Sequence, residues 1–131
     1  MIVLDTHVWV WWVSNPEKLS RGARGAISEA MKNNAVLISA ISVWEVALLV
    51  ARERLKLSIE VSDWIARSER LPFVQFIQVD TSIALKAVFL PGHIHNDPAD
   101  RIIIATALTT GAQLISMDKK IRKYPHVKTI W

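Results

Sequence analysis

The chain begins Met1-Ile-Val-Leu-Asp5, a short apolar run that stops at an acidic residue. A run rich in β-branched residues, without alternating polar positions, is typical of a strand buried on both faces. Runs of similar character recur along the chain, and each is bounded by polar or turn-forming residues. We therefore predict five strands, at residues 1–4, 35–39, 73–79, 113–116 and, more weakly, 127–130.

Segments with helical character separate these strands. The clearest helix start is Asp97-Pro98-Ala99-Asp100, where Asp97 suits the N-cap, Pro98 the first helical position and Gly111 the end. The other predicted helices cover residues 7–13, 20–32, 42–54, 59–70 and 81–89, with a helical turn at 118–122. Strands that alternate with helices favour right-handed crossovers and a parallel sheet covered on both faces. We predict one three-layer α/β domain over residues 1–131, because this length leaves room for a single domain.

Composition excludes several classes of protein. Apolar residues make up 51% of the chain and charged residues 21%, a balance too apolar for intrinsic disorder. Cysteine is absent, which excludes a disulfide scaffold and a cysteine-based zinc site. Neither an export signal nor a membrane-spanning run is evident. We therefore expect a soluble cytoplasmic protein.

Acidic residues lie where the predicted strands end. Asp5 follows the first strand, and Asp118 comes two residues after the fourth. Glu45 lies one to two turns into the helix after the second strand, while Asp97 and Asp100 begin the helix before the fourth. Because the carboxyl ends of parallel strands meet at one edge of a sheet, we expect these acids to converge. Like charges repel without a cation, and an oxygen ligand set favours Mg²⁺ or Mn²⁺.

Four blocks of the sequence resemble a known family when taken in order. They are Ile2-Val-Leu-Asp-Thr-His7, Ser39-Ala-Ile-Ser-Val-Trp-Glu45, His95-Asn-Asp-Pro-Ala-Asp-Arg101 and Leu114-Ile-Ser-Met-Asp118. Together they resemble the PIN domain, and within it the VapC-type toxin ribonucleases of toxin–antitoxin pairs. The resemblance extends over essentially the whole chain. It implies a parallel sheet with strand order 3-2-1-4-5, metal-dependent endonucleolytic cleavage of RNA, and a cognate antitoxin as partner.

The resemblance also implies a role for each acid. The acidic cluster of the family corresponds to Asp5, Glu45, Asp100 and Asp118. Asp5 would be the central metal ligand, and Asp100 and Asp118 would complete or bridge the site. Glu45 would bind the metal through water or accept a proton from the nucleophile. Asp97 is a further acid that either contacts the metal or only caps its helix.

Polar and basic residues next to these acids have two interpretations each. The hydroxyls of Thr6 and Ser42 either orient the carboxylates or a phosphate, or cap the local backbone. A basic run directly after Asp118 either holds RNA phosphates beside the metal or forms a solvated face. The residues of this run that we assign to the substrate are Lys119, Lys120 and Arg122.

Histidines and tryptophans complete the set of candidates. His93 and His95 could form a transition-metal site with Asp97, although a loop anchor is the simpler role for His95. Trp9, Trp11 and Trp12 cannot all face the core of one short helix, so at least one should be partly exposed. We favour an interface role for the exposed rings, in a homodimer or against the antitoxin, over stacking on RNA bases. The apolar segment 41–50 suits either a deep core or a dimer seam.

Two other enzyme or binding classes do not fit the same residues. A haloacid-dehalogenase-like phosphatase needs a second Asp two residues after Asp5, where this chain has His7. A dinucleotide-binding protein needs a glycine-rich turn after the first strand, and this chain offers none. Another metal-dependent phosphoesterase and a non-catalytic RNA- or protein-binding module of the same fold stay open.

The charge of the chain is unevenly distributed. The formal net charge is +4, from sixteen basic and twelve acidic residues. If Asp5, Glu45, Asp100 and Asp118 are set aside as metal ligands, the rest of the chain has sixteen basic residues and eight acidic ones. Such a surface favours a polyanionic partner such as RNA.

Overall fold

A five-stranded, fully parallel sheet forms the centre of the computed structural model, which describes residues Met1 to Trp131. The strand order is β3-β2-β1-β4-β5, which confirms the predicted order. In the central strand, Val3 is in register with Leu37 on one side and Leu114 on the other. The strands are β1 (Ile2–Leu4), β2 (Val36–Ser39), β3 (Val74–Ile77), β4 (Gln113–Ile115) and β5 (Thr129–Ile130).

Seven α-helices connect and cover these strands. No helix is long and apolar enough to cross a membrane. A short 3-10 turn at Pro16–Lys18 lies between the first two helices. The helices are α1 (Thr6–Ser14), α2 (Arg21–Lys32), α3 (Ala40–Ala51), α4 (Val61–Glu69), α5 (Thr81–Val88), α6 (Pro98–Thr110) and α7 (Lys119–Arg122).

The sheet separates two apolar layers, as a three-layer domain requires. Ile2 and Leu4 of β1 point into a layer that contains Trp9 of α1. Val3, the residue between them, points into the opposite layer with Ile103 of α6. Because alternate residues of β1 enter different layers and all three are buried, the prediction of helices on both faces is confirmed.

Side-chain caps position the helices at the sequence signals predicted for them. Ser20 caps α2, Asp80 caps α5, and Asp97 caps α6 by accepting the backbone N–H of Asp100. Gly111 ends α6 with a left-handed φ of +73°, which glycine adopts without steric cost. These ends place both termini of α6 where the sequence predicts them.

The helix predicted at 42–54 was wrong at both ends. The structure begins α3 at Ala40, with Ser39 as its cap, and ends it at Ala51. Glu53 has a left-handed φ of +57°, so the backbone leaves the helical path there. The strand predicted at 73–79 is also shorter, because β3 is an edge strand that pairs only with the four residues of β2.

Candidate metal centre

A cleft of about 400 Å³ opens at the carboxyl edge of the sheet. The predicted acids, which come from four separate segments of the chain, all line it. Such convergence follows from the parallel topology, because β1, β2 and β4 all end at this edge. The lining residues are Asp5, Thr6, His7, Val8, Trp11, Glu45, Asp97, Asp100, Met117 and Asp118.

Asp5 is the most buried acid of the cleft, with 8% of its surface exposed. It lies between β1 and α1 and caps the helix, since its Oδ1 accepts the backbone N–H of Thr6 at 2.8 Å. Its Oδ2 accepts the hydroxyl of Ser116 at 2.7 Å. Burial raises the pKa of Asp5, and these two hydrogen bonds oppose the rise. The carboxylate is therefore held in one orientation at the floor of the cleft.

Glu45 reaches the cleft from the second turn of α3. The Thr6 hydroxyl donates to its Oε1 at 2.5 Å, and the same hydroxyl lies 2.9 Å from that of Ser42. Burial, aided by the charges of Asp100, Asp5 and Asp97, raises the pKa of Glu45 to about 7, and the hydrogen bond from Thr6 opposes the rise. The Thr6 hydroxyl therefore holds the Glu45 carboxylate, and Ser42 contacts that hydroxyl; their role toward a metal or a substrate stays a prediction.

Asp100 lies in the first turn of α6 and faces the cleft opposite Asp5. Its Oδ2 is 2.6 Å from Nε2 of His95, and this hydrogen bond lowers a pKa that burial raises. Asp97 uses its Oδ1 to accept the backbone N–H of Asp100 at 2.9 Å, as an N-cap does. Its second oxygen has no hydrogen bond to the protein. Asp97 can therefore cap α6 and still line the cleft.

Asp118 closes the cleft from the end of β4. Its Oδ1 caps α7 by accepting the backbone N–H of Lys120 at 2.8 Å. Its own backbone N–H donates to the Ser116 hydroxyl at 3.1 Å. Ser116 therefore joins Asp118 to Asp5, and one buried hydroxyl sets the spacing of two acids.

The donor set fits a divalent cation. One ligand atom each from His95, Asp100 and Asp118 lie within 4.8 Å of one another. Carboxylate oxygens dominate the cleft, which suits Mg²⁺ or Mn²⁺. The crowded carboxylates also raise one another's pKa, a repulsion that a cation would relieve.

His95 contacts a different residue from those predicted for a transition-metal site, His93 and Asp97. The structure pairs it with Asp100. The compact ligand group leaves out His93 and Asp97, and it also leaves out Asp5 and Glu45. Its Nε2 forms the hydrogen bond with Asp100, and its Nδ1 is buried without a hydrogen-bond partner. The loop-anchor role predicted for His95 is confirmed, because its hydrogen bond to Asp100 ties the loop to the first turn of α6.

Ser116 is the site residue that the sequence interpretation missed. It belongs to the Leu114–Asp118 block, but no role was assigned to it. The strand register contains the missing signal: Leu4 pairs with Ile115, so the next residues, Asp5 and Ser116, must be neighbours. This signal requires knowing that β1 and β4 are adjacent.

The basic residues after Asp118 do not line the acidic cleft. Lys119 and Arg122 instead line a second cavity of about 660 Å³, and Lys120 is exposed outside it. The lining residues of this basic pocket are Lys119, Arg122, Lys123, Thr129, Ile130 and Trp131.

The three tryptophans of α1 differ in exposure, as predicted. Trp9 is fully buried and donates its indole N–H to Ser68, whereas Trp11 and Trp12 are partly exposed. On α3, only Ser42 and Val46 are buried, and Trp44 is 57% exposed. The deep-core interpretation of this helix is therefore wrong, and an unpartnered apolar face remains.

Comparison with known proteins agrees with this fold. The family model described as PIN domain matches residues 2–127. The chain is 36% identical over 132 residues to Ribonuclease VapC22 of Mycobacterium tuberculosis, an alignment that covers 99% of this chain and 98% of that protein.

Solved structures show the same fold at lower identity. VapBC2 from Rickettsia felis, bound to a DNA fragment from its promoter, matches with a TM-score of 0.71 and 18% identity, over 98% of this chain and 97% of that one. FitAcB from Neisseria gonorrhoeae matches with a TM-score of 0.67 and 23% identity, over 98% and 96%. A toxin–antitoxin complex from Klebsiella pneumoniae matches with a TM-score of 0.62 and 21% identity, over 95% and 93%. The chain belongs to the PIN-domain family, among its VapC-type members.

Proposed function

We propose that this chain is a divalent-metal-dependent endoribonuclease that acts as the toxin of a toxin–antitoxin pair. The observation that carries the proposal is the convergence of five carboxylates on one cleft at the carboxyl edge of the sheet. Membership of the PIN-domain family and the match to a ribonuclease support it. We propose RNA as the substrate class and Mg²⁺ or Mn²⁺ as the metal.

Within this proposal, Asp5, Asp100 and Asp118 hold the metal directly. Ser116 fixes the Asp5 carboxylate, and His95 fixes that of Asp100, so both present a defined oxygen to the cleft. A preformed ligand set spares the protein the entropic cost of ordering these side chains on binding. Asp97 contributes its second oxygen from the rim of the cleft.

The bound cation supplies Lewis-acid chemistry, which acidifies water and withdraws charge from a phosphodiester. In the hydrolysis we propose, a water oxygen forms a bond to phosphorus while one ester P–O bond breaks. Glu45 accepts the proton that the attacking water loses, and the departing alkoxide oxygen leaves protonated by solvent. Thr6 and Ser42 keep the Glu45 carboxylate pointing into the cleft.

The proposed partners follow from the apolar surfaces. The similar structures include complexes of toxins with antitoxins, which supports an antitoxin partner for this chain. Trp44 and the half-exposed apolar residues of α3 support a homodimer. The predicted cytoplasmic location stays a prediction.

The proposal is tested by incubating the chain with unstructured RNA, first with a chelator and then with Mg²⁺ or Mn²⁺ restored. We expect cleavage only with metal, and no 2′,3′-cyclic phosphate on the products, since water rather than the 2′-hydroxyl attacks. Asp100→Asn should reduce the rate by about a hundredfold, because even the outer partners of metal ligands are worth about 10–100-fold. The exposed Asp63→Asn, outside the cleft, is the control with the same charge change.

Two outcomes would contradict the proposal. Cleavage that persists in chelator, or that leaves cyclic phosphates, would belong to a different chemistry. Metal binding with no cleavage of RNA would favour the non-catalytic binding module of the same fold.

A further inference from the structure

The acidic cleft and the basic pocket share a wall. Asp118 lines the cleft, and the next residue, Lys119, lines the pocket. Trp11 lines the cleft, Trp131 lines the pocket, and their ring centroids are 5.9 Å apart. The linings of the two cavities are therefore adjacent at two places, at Asp118–Lys119 and at Trp11–Trp131.

Aromatic rings form a track along this wall. The centroid of His7 lies 6.1 Å from that of Trp11, and Trp11 lies 5.9 Å from Trp131. His7 is exposed, and both tryptophans pack against the core while staying partly exposed. The ammonium of Lys18 lies 5.9 Å from the Trp11 ring and adds a positive charge.

The cations of the pocket have no acidic partner. Lys119, Arg122 and Lys123 are exposed, and no carboxylate lies within 4 Å of their charged groups. No acidic side chain lines the pocket. Three unpaired cations beside exposed rings are the combination that proteins use to bind single-stranded nucleic acid, through phosphates and stacked bases.

We propose that single-stranded RNA runs from the acidic cleft into the basic pocket. Its bases stack on Trp11 and Trp131, and its phosphates contact Lys119, Arg122 and Lys123. The scissile phosphodiester then lies over the carboxylates, and the flanking nucleotides occupy the pocket. The inference rests on the proposed function and adds to it a strand path, along which the bases must be unpaired because bases in a duplex cannot stack on side chains.

An acidic peptide of a partner protein is the competing occupant. Such a peptide would form ion pairs with the cations of the pocket, but its acidic side chains would not stack on the row of aromatic rings. The continuity of the rings with the hydrolytic cleft favours a chain of stacked bases. The experiment below separates the two.

Fluorescence anisotropy with a labelled oligouridine, in Ca²⁺ in place of Mg²⁺, measures RNA binding. We expect Trp131→Leu, which keeps apolar bulk, to weaken binding about tenfold without changing the salt dependence. Arg122→Gln and Lys123→Gln should each reduce the slope of log affinity against log salt by about 0.7. Lys86→Gln, an exposed lysine on α5 outside both cavities, is the control and should leave the slope unchanged.

Photocrosslinking locates the strand without any substitution. Oligouridine that carries 5-iodouridine should attach to the peptides that contain Trp11 and Trp131, and annealing it to oligoadenosine should abolish the attachment. Crosslinks confined to other surfaces would overturn the proposed path.

The path and the proposed function fail in different ways. If wild-type protein cleaves RNA with metal while Trp131→Leu, Arg122→Gln and Lys123→Gln bind oligouridine normally, the path is wrong and the function stands. If these variants lose only the binding of an acidic partner peptide, the pocket is a protein site and the path is also wrong. If the wild-type protein neither binds nor cleaves RNA, both fail.

Discussion

Ser116 shows how one buried hydroxyl can set the geometry of a charged site. It is fully buried, donates to Asp5 and accepts from the backbone of Asp118. Removing it would leave a buried carboxylate oxygen without its partner. The cost of such an unsatisfied group exceeds the net value of the hydrogen bond that satisfied it.

We therefore expect Ser116→Ala to lower the free energy of unfolding by about 1–3 kcal/mol and to raise the pKa of Asp5 further. Urea unfolding of the metal-free protein measures the first effect. Ser62→Ala, at an exposed hydroxyl that bonds only Glu60, is the control and should change stability by less than about 0.5 kcal/mol. Equal stability of Ser116→Ala and wild type would contradict this account of Asp5.

Glu45 makes the metal-free protein sensitive to pH. Its pKa is raised to about 7 in the folded state, from an ordinary value of 4.5, because burial disfavours the charged form. Between these two pH values the folded chain keeps a proton that the unfolded chain has released. Stability must therefore fall as the pH rises from about 4.5 to about 7, and stay low above that.

Thermal unfolding without metal tests this sign. We expect the wild-type melting temperature to be higher at pH 5.5 than at pH 8, and Glu45→Gln to reduce the difference. Glu53→Gln, an exposed glutamate just beyond α3, should leave the difference intact. A wild-type melting temperature that rises over this pH range would contradict the burial effect assigned to Glu45.

At the scale of elements, Arg101 joins three segments around the site. Its Nε donates to the carbonyl of Ala87 at 2.8 Å, its Nη2 to that of Val88 at 3.0 Å, and its Nη1 to that of Ile94 at 3.2 Å. The guanidinium thus satisfies carbonyls at the end of α5 and in the loop that carries His95. It acts as a C-cap for one helix and as an anchor for the loop before the next.

Arg101→Gln should lower the free energy of unfolding by about 2–3 kcal/mol, since hydrogen bonds from a charged donor are lost together. It should also weaken metal binding, because the His95 loop loses its anchor. Urea unfolding and a metal titration measure the two effects. Arg70→Gln, an exposed arginine at the end of α4, should change neither. An Arg101→Gln protein with wild-type values in both would show that the loop is held by other contacts.

The half-exposed face of α3 predicts self-association. Trp44 exposes 57% of its surface on a helix in which only Ser42 and Val46 are buried. We expect sedimentation to show a dimer for the wild type and a shift toward monomer for Trp44→Lys, because a buried charge would face the partner. Leu85→Lys, at an exposed apolar residue on α5, is the control. A wild type that stays monomeric at every concentration would contradict a dimer through this face.

The elements differ in how well the sequence predicts them. The strands, their order and the capped start of α6 follow from local signals and from the family resemblance. The end of α3 does not, because the left-handed turn at Glu53 follows a continuous run of good helix formers. The Ser116–Asp5 contact and the wall between the two cavities join residues far apart in the chain. They become visible only when the strand register is known.

At the scale of the whole molecule, charge is separated in space. The carboxylates gather in one cleft, while Lys119, Arg122 and Lys123 gather in the adjoining pocket. The net charge of +4 conceals this separation. A bound divalent cation would offset much of the acidic charge, so the basic pocket would dominate the charge on this side of the molecule.

The central claim is that the cleft binds a divalent cation through its carboxylates. Calorimetric titration with Mn²⁺ and Mg²⁺ at pH 7.5 tests it most directly, with wild type, Asp5→Asn, Asp100→Asn and the control Asp63→Asn. We predict saturable binding to wild type and Asp63→Asn, and at least tenfold weaker binding to Asp5→Asn and Asp100→Asn. Asp5→Asn and Asp100→Asn proteins that fold normally and bind the metal with wild-type affinity would contradict the claim.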